Sequence, residues 1–236
     1  MSLIYEKPLK IELFGSALIV NGKEHPCSVR KLSEMKDALM SETKESGDVD
    51  LYYMFRDIYV KNGMRYDITL IPARITGGEF AKTYGHCHPV AHDHLRYPEV
   101  YQVLSGKALF ILQKELETAG IEILIIPAKK GEVVLIPPNY CHVSINPSEK
   151  DLLLANVVAV DFKSIYEIYK RKRGAAYYCT KKGLVPNKNY TIEKTEKPGP
   201  AEINKRYGFS SKDLLNEFCE NPKKFEFLKK PELLKP

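Results

Sequence analysis

No run of eighteen apolar residues occurs anywhere in the 236-residue chain, so a helical membrane span is not expected. The first residues, MSLIYEKPLKIELFG, place charges where a secretory signal would need an apolar stretch. Export is therefore not expected, and the cytoplasm is the default location. Cysteine is scarce. The five, Cys27, Cys87, Cys141, Cys179 and Cys219, are odd in number and widely spaced, and none forms a CxxC pair. That pattern argues against a disulfide framework and against a four-cysteine zinc site, and leaves free thiols as the expectation. Internal repeats and low-complexity tracts are also lacking, which excludes solenoids and long disordered arms. The net charge of +6 comes partly from local lysine and arginine runs, such as KRKRG. No zinc-finger, RNP or basic-zipper pattern accompanies them, so a solvated face is expected rather than a nucleic-acid surface.

What the sequence has is a long stretch of β texture. From about residue 50, short apolar runs follow one another: DLYYMFRDIYV, GMRYDITLIPARI, EVYQVLSGKALFILQ, IEILIIPA, EVVLIPP and LLLANVVAV. Glycine, proline, asparagine, aspartate or lysine separates them, the punctuation of tight turns. Many short strands at nearly even spacing predict an antiparallel sandwich or barrel. Residues 31–46 space Leu32, Met35, Leu39 and Met40 as on a helix. Beyond about 162 the β texture fades: FKSIYEIYKRKRG reads as helical, 191–200 as an irregular linker, and the segment from Ser210 or Ser211 as a capped terminal helix. The expected organisation is an N-terminal arm with a helix over 1–49, a barrel over 50–162 and a C-terminal extension over 163–236.

The histidines carry the chemistry. Five of the six lie between 86 and 142, and four cluster in GHCHPVAHDH. On extended backbone, residues i and i+2 share a face, so the imidazoles of His86 and His88 can converge on one ion. Glu99 follows in YPEVYQVLSG, and His142 arrives later in PPNYCHVSI. Neutral imidazoles and a carboxylate suit a first-row divalent ion such as Fe, Mn, Ni or Zn. His92 and His94 compete for the same role, but their stretch, VAHDHLRYP, reads as a loop near the pocket mouth.

GHCHP…PEVYQVLSGKALFIL resembles the first cupin motif, and GEVVLIPPNYCHVSIN the second. Within the cupins, TYGHCH, EVY and PPNYCH, with the segment TLIPARITGGEFAKTYGHCHP, are similar to the cupin-type glucose-6-phosphate isomerases known chiefly from archaea. The resemblance spans about residues 50–170. It implies an all-β core, a double-stranded β-helix or jelly roll, with flanking arms. It implies His86, His88, Glu99 and His142 as metal ligands. It further implies substrate contacts from Thr69, Thr83, Gly85, Tyr53 and Tyr166, an active-site Tyr101, a sugar-phosphate substrate and a homodimer. Two departures from the family pattern stand out. Ten residues separate His88 from Glu99, where the family has fewer, and VDFKSIYEIY lacks the histidine that the family carries after its last core strand.

The implied reaction moves a proton between C1 and C2 of a sugar phosphate. A divalent ion touching both oxygens would stabilise the enediolate, and Glu99, the acidic member of the set, is the candidate base. A metal-assisted hydride shift is the rival. Lys82 or Arg74 would add charge for the phosphate. Three histidines and a glutamate also suit other metal-dependent cupin enzymes and non-catalytic sugar-phosphate binders.

Overall fold

The computed structural model describes residues 2–43, 47–118 and 120–234. The alternating apolar runs pair into two facing sheets, antiparallel except for one edge strand. One has six strands in the order Val133–Ile136, Glu99–Ser105, Leu152–Ala159, Met64–Ile71, Asp50–Lys61 and Ser28–Lys31. The other has four: Cys141–Ile145, Lys107–Glu115, Ile121–Lys129 and Ile192–Glu196. Glu99–Ser105 and Lys107–Glu115 fall in opposite sheets, and from Ile121–Lys129 to Leu152–Ala159 each successive strand changes sheet. That crossing order is the expected jelly-roll barrel.

Two apolar clusters follow from strand alternation. Val103, Phe110, Leu112, Ile123 and Leu154 fill the space between the sheets. Phe55, Tyr66, Ile68, Leu153, Ala155 and Val157 face the other way, onto Leu214, Leu215, Phe218, Phe225, Phe227 and Leu228 of the C-terminal arm. Every residue of Leu152–Ala159 is buried for this reason: one face lines the barrel and the other lies beneath the arm. The arm is thus part of the hydrophobic structure, and Phe218 stands edge-on to Tyr59 at 5.7 Å.

Several local expectations differ from the structure. Residues 2–24 form a four-stranded sheet of their own, Ser2–Tyr5, Ile11–Phe14, Ala17–Val20 and Lys23–Glu24. In place of a helix over 31–46 there are two short 3-10 turns, Leu32–Glu34 and Lys36–Ala38, which bury Leu32, Met35 and Ala38; residues 44–46 lie outside those described. The helical spacing thus reflects two turns that dip into the core. The stretch 191–200 contains the strand Ile192–Glu196, which runs parallel to Ile121–Lys129. Its charged residues hid it, because they stay largely exposed on a sheet edge. The barrel sheets therefore draw a strand from each arm, Ser28–Lys31 and Ile192–Glu196. The terminal helix is Leu214–Glu220, capped by Asp213, whose side chain accepts from the Asn216 amide, rather than by Ser210 or Ser211. No helix among the described residues is long and apolar enough to cross a membrane.

Candidate metal centre and pocket

His142 and Glu99 sit in regular strands of opposite sheets, Cys141–Ile145 and Glu99–Ser105. His86 and His88 come from an extended segment that is held to its neighbours by isolated bridges, among them His86 to His142. In that segment, as in a strand, alternate residues share a face. The result is a cluster in which one ligand atom from each of His86, His88, Glu99 and His142 lies within 4.8 Å of every other. Two of the imidazole nitrogens, Nε2 of His86 and of His88, are 3.0 Å apart. Oε2 of Glu99 is 3.1 Å from His142 Nε2 and 3.4 Å from His88 Nε2.

The cluster fits a cation. His88 Nδ1 lies 2.8 Å from the Tyr97 carbonyl, and a carbonyl only accepts. Nδ1 therefore carries the proton, which leaves the Nε2 lone pair of the neutral ring facing the cluster. Glu99 Oε2 is buried without a well-directed hydrogen bond despite its short contacts. Burial, helped by the neighbouring imidazoles, pushes the His86 pKa well down, and burial likewise lowers that of His142. Both are thereby favoured in the neutral form that ligates metal. Burial alone would push the Glu99 carboxyl up, but His142 and His88 outweigh it and hold the group well below the usual carboxylate range.

Around the cluster, alternation decides what faces in. Tyr101 pairs with Asn156, and Asn156 with Asp67, forming one row across the six-stranded sheet. Asn156 Nδ2 donates to Glu99 Oε1 at 2.7 Å, so the carboxylate is gripped on the side away from the histidines. The Tyr101 hydroxyl is 3.2 Å from His142 Nε2. Burial and the nearby Glu99 raise its pKa, so it stays a protonated donor. Asp67 accepts from the Asp57 amide at 2.8 Å and pairs with Arg65 at 2.9 Å. Asp57 has φ 60° and stands in a β-bulge of the Asp50–Lys61 strand, so Asp67 satisfies the amide that the bulge would leave unpaired.

The pocket above the cluster is lined by Thr69, Thr83, Gly85, Tyr101 and Tyr166, together with His86, His88 and Glu99. His142 does not line the pocket and is 1% exposed. One expected residue is misplaced. Tyr53 points away from the pocket into the cluster beneath the C-terminal arm, and Tyr52 lines the pocket instead. A one-residue change in register exchanges the faces of a strand, and residues 52, 54 and 56 are the inward set. The Tyr52 hydroxyl accepts from the Tyr84 amide and from Arg30 Nε, each at 3.3 Å.

The expected phosphate cations also lie elsewhere. Lys82 is buried against Glu79 at 2.9 Å and donates to the Ala38 carbonyl, and Arg74 lines a separate surface cavity. The pocket's cations are Arg56 and Arg65. Strand parity held this information: with Thr69 facing in, Arg65 and Asp67 must face in too. Gly85 has φ +81°, and a Cβ there would come within 2.3 Å of the Tyr169 ring. This glycine is therefore required by packing as well as by close approach to the pocket.

The longer connection between His88 and Glu99 is a small hairpin, Val90–His92 with Leu95–Arg96. It carries His92 and His94 away from the ligands, and His92 is exposed beside Asp93. From the same hairpin, Arg96 donates to the His88 carbonyl at 2.6 Å. In the stretch after the last core strand, Phe162 stacks on Tyr97 and packs against His88, with ring centroids 4.7 and 4.5 Å away.

The family model described as "Glucose-6-phosphate isomerase (GPI)" matches residues 29–195. The chain belongs to the glucose-6-phosphate isomerase family. The matched range begins and ends in the two strands that the arms lend to the barrel. Curated family members include the glucose-6-phosphate isomerase of Thermococcus litoralis, 29% identical over 165 residues, which are 66% of this chain and 81% of that protein. The glucose-6-phosphate isomerase of Pyrococcus abyssi is 27% identical over 166 residues, 67% of this chain and 82% of its own. Among solved structures, a cupin 2 conserved barrel domain protein from Rhodopseudomonas palustris matches 65% of this chain and 81% of its own. Its identity is 13% and its TM-score 0.37.

Proposed function

We propose that this isomerase interconverts glucose 6-phosphate and fructose 6-phosphate at a divalent metal ion held by His86, His88, Glu99 and His142. The observation that carries the reading is the convergence of those four side chains beside a pocket lined by Thr69, Thr83 and Gly85. The substrate is the one named for the curated relatives. When bound, a divalent ion supplies Lewis-acid stabilisation of negative charge on the C1 and C2 oxygens.

The chain's own residues do the rest. Thr69, Thr83 and the backbone at Gly85 offer donors for the phosphate, and Arg56 adds a cation at the exposed rim. Arg65 is already matched by Asp67 and Asp57. Glu99, whose Oε1 is held by Asn156, is the group that takes the proton from one of the adjacent carbons and returns it to the other. Tyr101 donates its hydroxyl beside His142. Phe162, Tyr84 and Tyr166 line the pocket with aromatic rings beside these polar groups.

The test is a coupled assay of fructose 6-phosphate turnover on one preparation, after chelation and after adding back Mn, Fe, Ni or Zn. Activity lost with chelator and restored by metal is the expected result. A folded Glu99→Gln variant should then lose about a hundredfold or more in kcat. Turnover unaffected by exhaustive chelation would remove the metal from the reading. Wild-type turnover in Glu99→Gln would remove Glu99 as the proton carrier.

A further inference from the structure

Two of the five cysteines are not free. Cys87 and Cys141 form a disulfide, and Cys27, Cys179 and Cys219 are the free thiols. The expectation of five free thiols fails here because pairing depends on strand register. His86 and His142 exchange both backbone hydrogen bonds, at 3.0 and 2.9 Å. The next pair outward, Cys87 opposite Cys141, is then a non-hydrogen-bonded pair, the position where facing side chains come closest.

The bridge lies directly behind the metal centre. Cys87 stands between His86 and His88, and Cys141 precedes His142. Alternation turns the sulfurs away from the face that carries the imidazoles, so the bridge holds the ligand backbones without touching the ion. It also spans the weakest part of the centre. The segment 82–88 belongs to no regular strand, and the pairings it makes are the isolated bridges Lys82 to Ile145, His86 to His142 and Cys87 to Ile165.

We propose that the Cys87–Cys141 disulfide is a positioning staple for the three-histidine site, and that metal retention therefore depends on the thiol redox state of the chain. The inference rests on the metal-binding reading above. The staple is within reach of a reductant. Cys87 is fully buried, but Cys141 is 8% exposed and borders a cavity with Gln113, Ile168, Lys172 and Tyr190. A small dithiol attacks Cys141 Sγ, the sulfur–sulfur bond breaks, and Cys87 leaves. The second thiol of the reductant then closes on the first. Two electrons and two protons pass to the protein, giving two cysteine thiols and the cyclic disulfide of the reductant. With the staple open, the segment keeps its isolated bridges and the contacts of His88 with Tyr97 and Arg96, but His86 and His88 lose the covalent tie that fixes their spacing from His142.

The test uses the full chain loaded with Co(II). After treatment with oxidised glutathione, thiol titration in denaturant should find three thiols, and after dithiothreitol followed by desalting, five. Release of Co(II) to a chelator should be at least tenfold faster in the reduced protein. The visible ligand-field spectrum of Co(II) should shift while the far-ultraviolet circular dichroism stays constant, a pattern that loss of general stability does not produce. A Cys87→Ala/Cys141→Ala variant should match the reduced protein and ignore dithiothreitol. Five thiols after oxidation, or equal release rates in the two states, would overturn the staple and leave the metal site standing. Failure of either state to bind Co(II) would overturn the metal reading and the staple with it.

Discussion

Asp67→Asn should change how stability depends on pH, by an amount the structure sets. Asp67 is 5% exposed and lies in the row of Tyr101 and Asn156. Burial raises its pKa from the ordinary 3.8 to about 6, against the lowering effect of Arg65 and of the Asp57 amide; Glu99 adds to the rise. The sign follows from linkage. A carboxyl whose pKa is raised on folding binds its proton more tightly in the folded chain. Its contribution is fully present below about 3.8 and is lost as pH rises through about 6. At ~1.4 kcal/mol for each tenfold in proton affinity, the loss is about 3 kcal/mol. The partly buried His86 and the buried His142, with lowered pKa values, push stability the opposite way, so total stability does not isolate Asp67. The difference between variant and wild type does. Asparagine still accepts from the Asp57 amide, and losing the Arg65 ion pair adds an offset mainly above the folded pKa.

The assay is urea unfolding of both metal-free proteins at half-unit steps from pH 3.5 to 7.5. The stability of Asp67→Asn relative to wild type should climb by ~3 kcal/mol across the whole range, most of it between pH 4 and 6.5, less whatever the lost ion pair takes back. In metal-loaded protein the climb should shrink, because a dication near the pocket favours the ionised carboxylate. A difference that stays flat across the range would refute the reasoning, and with it the account of Asp67 as a buried carboxylate held ionised at neutral pH against its surroundings.

Three other outcomes are expected. His142→Ala should lower the metal-to-protein ratio measured by elemental analysis, and an unchanged ratio would exclude His142 as a required ligand. Tyr52→Phe, which deletes the acceptor used by the Tyr84 amide and Arg30, should raise KM for fructose 6-phosphate by about tenfold. Tyr53→Phe should leave KM unchanged, and the reverse order would overturn the strand parity described above. Phe218→Ala, at a fully buried position under the sheet, should cost about 3–5 kcal/mol of unfolding free energy. A loss below ~1 kcal/mol would show that the C-terminal arm is not part of the cooperative core.

What the sequence by itself determined was whatever depends on local period and residue chemistry. The β texture after residue 50 predicted the barrel, because strand alternation and turn residues are local properties. His86-x-His88, Glu99 and His142 stood out because few residue types can ligate a metal. Other features waited for the tertiary structure. Tyr52 rather than Tyr53, and Arg56 rather than Lys82 or Arg74, turn on which face of a strand looks inward, and a slip of one residue reverses that face. Asn156 gave no signal, since its role exists only where its strand passes Glu99. The exposed strand Ile192–Glu196 looked like a linker because a sheet edge does not need apolar residues. Cys87 and Cys141 lie 54 positions apart in the sequence, and nothing in their spacing announces a bond. They meet because two chain segments pair in one register, and register is a property of the assembled sheet.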